Sequence, residues 1–242
     1  MITKLLRALG FGGKPVAETK KPTRESAATK PKVAPARKPA AAKPKVAPER
    51  IGELGEHKIN IQLDQLPKEC RFVTDLMVRN AKSRTGYSQI DHAVISPYGI
   101  FVIETKNYNG SIRGSRDDRQ WTVNGRFKMY NPLKQNYGHI KALEHVLSAY
   151  APLRFISMVS FTMRCRFGID PTLRKIESDE LVVYDVELSE FLHRKLLRLK
   201  AVHGDPLLEA SRIAAIHEAL LQANIVDPAL RAAHVEAAKR ET

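Results

Sequence analysis

With 242 residues, 43% of them hydrophobic, the chain has apolar surface for one sizeable core and room for an appended subdomain. Its two cysteines, Cys70 and Cys165, lie far apart and outside any CxxC or Cys/His spacing, which excludes a disulfide framework and a structural zinc and points to a reduced, cytoplasmic compartment. The formal charge of +14 directs attention to polyanionic partners, while no apolar run approaches the about 20 residues of a spanning helix and no signal-peptide core is expected.

The charge is uneven. Residues 1–50 hold 13 Lys and Arg against 3 Asp and Glu, a net +10, and leave 27 against 23, a net +4, for residues 51–242. The same stretch holds 7 of the 14 prolines and repeats Pro-Lys-Val-Ala-Pro at 31–35 and 44–48. Such a segment cannot bury enough apolar surface to fold, so a disordered, extended tail is predicted over 1–50. A plain linker is one reading. A second is a nucleic-acid arm in which Lys30, Lys32, Lys43 and Lys45 release counterions from phosphates. A third is a weak membrane-surface contact through the short amphipathic run at residues 1–11.

Past residue 50 the pattern changes to that of a folded domain. Ile51, Leu54, Ile59 and Leu63 recur at helical spacing up to Pro67, which predicts a helix over about 50–65. Cys70 to Val78 reads as a strand, and residues 81–86 as a loop. Gln89 to Lys106 then forms two β-branched and aromatic runs around Ser96-Pro97-Tyr98-Gly99, an antiparallel hairpin. If Pro97-Tyr98 is a two-residue loop, Asp91 lies across from Glu104, and Lys106 shares the face of Glu104. A bulge at Gly99 would instead place Asp91 beside Thr105. Opposed carboxylates repel unless something positive sits between them, so this strand end has the charge pattern of a divalent-metal phosphodiester-cleaving site.

Asn124-Gly125 between alternating residues predicts a small hairpin flap around Trp121. Asn131-Pro132 opens the next helix, with Leu133, Tyr137, Ile140, Leu143 and Leu147 as its core stripe and Gln135 and His139 off that stripe. Arg154 to Thr162 and Leu181 to Tyr184 read as buried strands, and helices follow near 188–201, 206–223 and 228–240. The order is α-β-β-β-α-β with a helical C-terminal end.

Gly55-Glu56, Gln89-Ile90-Asp91-His92, Gly99-Ile100-Phe101-Val102-Ile103-Glu104-Thr105-Lys106-Asn107, Gly110, Trp121 and Asn131-Pro132-Leu133-Lys134-Gln135-Asn136 together resemble the nuclease-related domain (NERD), which belongs to the PD-(D/E)xK, restriction-endonuclease-like superfamily. The resemblance spans about residues 51–190, with residues 191–242 left as a helical extension. It implies an α/β fold, a restriction-endonuclease-like α-β-β-β-α-β core whose mixed central sheet is flanked by helices. It also implies a magnesium- or manganese-dependent nuclease acting on nucleic acid, with DNA the expected substrate. By the same resemblance Asp91 and Glu104 are metal ligands, Lys106 positions or activates the water, and Glu56 and Gln135 support the site from two helices. The alternatives are a catalytically silent nucleic-acid-binding module and a membrane-tethered accessory protein.

The neighbouring residues have plainer readings. His92 alternates away from Asp91 and is expected to be a packed, hydrogen-bonded histidine; His139 is expected at the surface. Trp121 reads as the anchor of the flap, with base stacking as its alternative.

Overall fold

The computed structural model describes residues 48–239, with side chains over 56–238. Residues 1–47 of the predicted tail, with Lys30, Lys32, Lys43 and Lys45, lie outside the described residues, and residues 48–50, expected in that tail, open the first helix. Helix α1 spans Pro48–Leu63, and three strands follow: β1 (Arg71–Arg79), β2 (Tyr87–Ser96) and β3 (Gly99–Lys106). Three shorter ones, β4 (Gly110–Gly114), β5 (Gln120–Val123) and β6 (Phe127–Tyr130), lead into helix α2 (Pro132–Val146). Then come β7 (Phe155–Phe161), β8 (Cys165–Ile169), β9 (Glu180–Tyr184) and helices α3 (Leu188–His203), α4 (Ala210–Ala223) and α5 (Pro228–Lys239). This is a mixed α/β fold with the predicted α-β-β-β-α-β order.

The central sheet has five strands in the order β1-β2-β3-β7-β9. The first three are antiparallel, and β7 and β9 join parallel to β3, so the sheet is mixed. Strands buried on both faces need apolar residues at nearly every position, and β3 is buried from Gly99 through Glu104. One face packs Val102 and Ile100 against Ala142 and Leu143 of α2 and Ile213, Ile216 and Leu220 of α4. The other packs Phe101 and Ile103 against Ile59 and Leu63 of α1 and Leu188, Leu192 and Leu199 of α3. The residues past 190 therefore contribute to both cores of the same sheet.

The small flap predicted around Trp121 is instead half of a second, four-stranded sheet, ordered β6-β5-β4-β8. Its Asn124-Gly125 turn has φ of +55° and +65°, the two left-handed residues that a tight two-residue hairpin needs. The remaining pair, β4 and β8, runs parallel, from Gly110↔Cys165 to Gly114↔Ile169. It continues the parallel pair β3 and β7 of the central sheet beyond a bend, where Thr162 N donates to Lys106 O at 3.1 Å and Gly110 N to Arg164 O at 3.0 Å. The two sheets thus meet at the C-terminal ends of β3 and β7.

Trp121 anchors this junction and is fully buried. Its indole Nε1 donates to Ser115 O at 2.8 Å, and its ring lies parallel to that of Phe161 with centroids 6.4 Å apart. Base stacking is thereby excluded for this ring. Gly114 leaves the space for it: a Cβ there would fall 2.1 Å from Trp121 Cδ1. Trp121→Ala is expected to cost about 3–5 kcal/mol in urea unfolding, the range for a buried large aromatic, and Gly114→Ala to destabilise through overpacking. A cost below about 1 kcal/mol for both would mean that the junction is not core.

Helix α2 departs from its predicted stripe. Leu133, Leu143 and Leu147 are buried, but Tyr137 is 59% exposed and carries the Lys141 ammonium 5.3 Å above its ring. The buried face runs instead through Asn136 and His139. Apolar periodicity misplaced it because the side turned to the central sheet is partly polar.

Candidate active site

The β2–β3 hairpin takes the two-residue register, from Ser96↔Gly99 to His92↔Ile103, and not the bulged one. The next position along would pair Asp91 with Glu104. At that point the backbone ladder gives way to a side chain, for Asp91 Oδ2 accepts from Thr105 N at 2.6 Å. The two carboxylates feel each other strongly. Burial, then the charge of Glu104, push the Asp91 carboxyl well above the usual carboxylate range, and Glu56 on α1 adds to the effect against the opposing pull of Thr105 N and Lys106.

Glu104 is 3% exposed. Its Oε1 accepts from Lys106 Nζ at 2.6 Å and from Gln135 Nε2 at 2.7 Å, and Lys106 Nζ donates in turn to Gln135 Oε1 at 2.9 Å. The three side chains close a ring. Burial acts to lower the Lys106 pKa, but the Glu104 charge and hydrogen bond, with Asp91 and Tyr108, outweigh it and hold the ammonium above its ordinary value. Lys106 is accordingly held as a charged donor to Glu104 and Gln135.

Helix α2 delivers Gln135 from its first turn. Asn131 caps that helix, its Oδ1 accepting from Leu133 N at 2.9 Å, and fastens it to the β4–β5 loop by donating from Nδ2 to Asp118 O at 2.8 Å and Arg116 O at 3.0 Å. Asn136, one residue on, bridges β3 and β7 by donating to Val102 O and Ser157 Oγ, both at 2.8 Å. These bonds leave Gln135 little freedom.

Three residues that the sequence did not single out for the site also belong to its surroundings. His139 is buried, contrary to the surface position expected, with Nδ1 3.3 Å from Glu104 Oε2 in a contact too poorly aligned for a hydrogen bond. Burial lowers its pKa, the Glu104 charge only partly offsetting this. Thr105 lends its amide to Asp91. Asn60 on α1 pairs through Oδ1 with His92 Nε2 at 2.8 Å, and burial pushes His92 down to about 4, so it is a packed neutral histidine. A polar residue one turn after Gln135 was the available signal for His139, and the alternative register that set Asp91 beside Thr105 was the one for Thr105; for Asn60 there was none.

The donor set fits a hard cation. Glu104 Oε2 is buried without a hydrogen bond, and Asp91 sits under the repulsion of two acidic neighbours that a cation would relieve. No group of three or more His, Cys, Asp or Glu side chains gathers at one metal position among the described residues. Two carboxylates with water completing the shell suit magnesium, which keeps several of its own waters.

The fold and these strand-end residues define a nuclease-related α/β protein, consistent with the PD-(D/E)xK superfamily. Residues 51–162, which contain all five of Glu56, Asp91, Glu104, Lys106 and Gln135, match the family model described as nuclease-related domain. An uncharacterized protein of Bacillus anthracis is 32% identical over 192 residues, covering 76% of this chain and 82% of that relative. The chain belongs to the nuclease-related domain (NERD) family. No solved structure matches it. No helix among the described residues is long and apolar enough to cross a membrane.

Proposed function

We propose that the protein is a magnesium- or manganese-dependent nuclease that hydrolyses phosphodiester bonds, with DNA as its substrate. The observation that carries this reading is the ring of Glu104, Lys106 and Gln135 beside Asp91, a cation held 2.6 Å from a buried carboxylate at a strand end. Asp91 and Glu104 would hold the divalent ion. When bound, that ion supplies a Lewis acid that polarises a phosphate and raises the acidity of water beside it. Lys106 keeps its positive charge near the reacting phosphate and stabilises charge that develops there. Gln135 fixes the orientation of both Glu104 and Lys106, and Glu56 adds negative charge on the side of Asp91.

The test is nicking of supercoiled plasmid by the purified full-length chain with magnesium or manganese, against the same reaction in chelator. Metal-dependent nicking that Glu104→Gln removes supports the proposal. A protein that binds the plasmid yet leaves it supercoiled with either ion would replace it by the binding-module reading.

The basic stretch at residues 1–50, at +10, is assigned the role of a nucleic-acid arm in the same proposal. Removing it is expected to weaken DNA binding and flatten the dependence of affinity on salt, since each neutralised phosphate contributes about 0.9 to the slope. Cleavage at low salt should persist. An unchanged slope would leave the stretch as a linker, and sedimentation of the same pair with liposomes reports on the membrane alternative.

A further inference from the structure

We infer that the solvent face of the second sheet is a binding surface for the phosphate backbone of duplex nucleic acid, delivering it to the site at the ends of β3 and β7. The inference rests on the nuclease reading and extends it to a surface outside the catalytic ring. The inner side of this sheet packs Ile112, Trp121, Val123 and Met129 into the core. Alternation then turns Arg113, Lys128 and Arg166 outward on three of its four strands, and all three are exposed. The register places Arg113 opposite Thr122, which is itself opposite Lys128, and puts Arg166 opposite Ser111.

Two observations characterise this face, clustering of unpaired cations and its place in the fold. The first is pairing. Arg113, Lys128 and Arg166 have neither an ion pair nor a side-chain hydrogen bond to any described residue; Arg71, Arg79, Arg119 and Arg126 are unpaired too, but only the first three share one face across three strands of one sheet. No Asp or Glu occurs in β4, β5, β6 or β8 to neutralise them. Gly168 on β8 leaves the Arg113 stem room to lie across its strand, since a Cβ there would come within 3.1 Å of Arg113 Cγ.

The second is place. Arg113 is the seventh residue after Lys106, and seven residues of extended chain span at most about 23 Å, a distance the bend can only shorten. That is less than one turn of duplex DNA, about 34–36 Å. From β8 to β6 the sheet measures three interstrand spacings, about 14 Å, comparable with the roughly 12 Å width of the major groove. These cations therefore lie within one duplex turn of the strand end that carries Lys106. Uncompensated point charges with neutral Ser111 and Thr122 between them suit backbone contact and not base reading.

The experiment uses the full-length chain in chelator, where cleavage is absent, and a labelled duplex of about 30 base pairs, roughly three turns, with affinity followed by anisotropy over a salt series. The variant Arg113→Gln/Lys128→Gln/Arg166→Gln is expected to bind about tenfold or more weakly and to lower the salt slope by nearly 3, about 0.9 for each phosphate contact. The charge-matched control Arg194→Gln/Arg198→Gln/Lys200→Gln on α3 should keep the wild-type slope. Duplex should also protect Lys128 of the wild type from acetylation, a readout that needs no variant. The inference is overturned if the first variant keeps its slope, if the control loses as much, or if Lys128 is acetylated equally with and without duplex. Its failure is distinct from that of the nuclease reading: a slope change without any metal-dependent nicking leaves the surface and removes the enzyme, and nicking with an unchanged slope does the reverse.

Discussion

Lys106→Ala is expected to abolish plasmid nicking, by at least about 10²–10³-fold, the loss typical of removing one electrostatic stabiliser of developing charge. The same change is also expected to lower stability, because it strips the cation from a carboxylate that is only 3% exposed. Breaking a buried pair from one side costs about 3–5 kcal/mol. A strand-end lysine viewed from the sequence alone would be thought to contribute little to stability; its 2.6 Å bond to buried Glu104 changes that expectation. The two effects separate in the double variant Lys106→Ala/Glu104→Gln, which should regain stability in thermal unfolding but no activity. Nicking at the wild-type rate by folded Lys106→Ala would remove the lysine from the chemistry.

Magnesium or manganese should raise the melting temperature of the wild type, by mass action on a site that exists only in the fold; at a hundredfold excess over Kd the gain is about 2.7 kcal/mol. That gain should vanish in both Asp91→Asn and Glu104→Gln. Without a divalent ion, Asp91→Asn should melt higher than the wild type at neutral pH. The sign follows from the raised carboxyl of Asp91, pushed up by burial and by Glu104. A carboxyl that holds its proton more tightly in the fold than in the unfolded chain costs nothing below the ordinary value of 3.8 and destabilises progressively as pH climbs from there to the raised value. The advantage of the asparagine should therefore shrink in acid. If both variants retain the metal-induced shift, the two carboxylates are not the metal site.

What the sequence made legible was local. Ser96-Pro97-Tyr98-Gly99 set the hairpin register because a two-residue loop leaves little choice of pairing, and that register brings Asp91 to the strand of Glu104. The Asn131-Pro132 helix start was legible for the same reason, since capping chemistry is written in adjacent residues. The second sheet was not legible as a sheet: β4 pairs with β8, more than fifty positions away, and neither five-residue strand has a pattern of its own. His139 was misplaced because hydrophobic periodicity counts only apolar residues, and a helix face turned toward a carboxylate is polar where it does its task.

Lys106 and Gln135 stand 29 positions apart in the chain, yet their side chains touch at 2.9 Å. Everything in β4, β5 and β6 is an excursion that departs from the corner of Glu104 and Lys106 and returns to it, closed by Asn131 gripping the β4–β5 loop. A detour with fixed ends behaves as a cassette. Its outer surface can be rewritten in charge or shape while the corner it springs from keeps its geometry, so in the proposed nuclease the choice of substrate and the chemistry would vary separately within one fold.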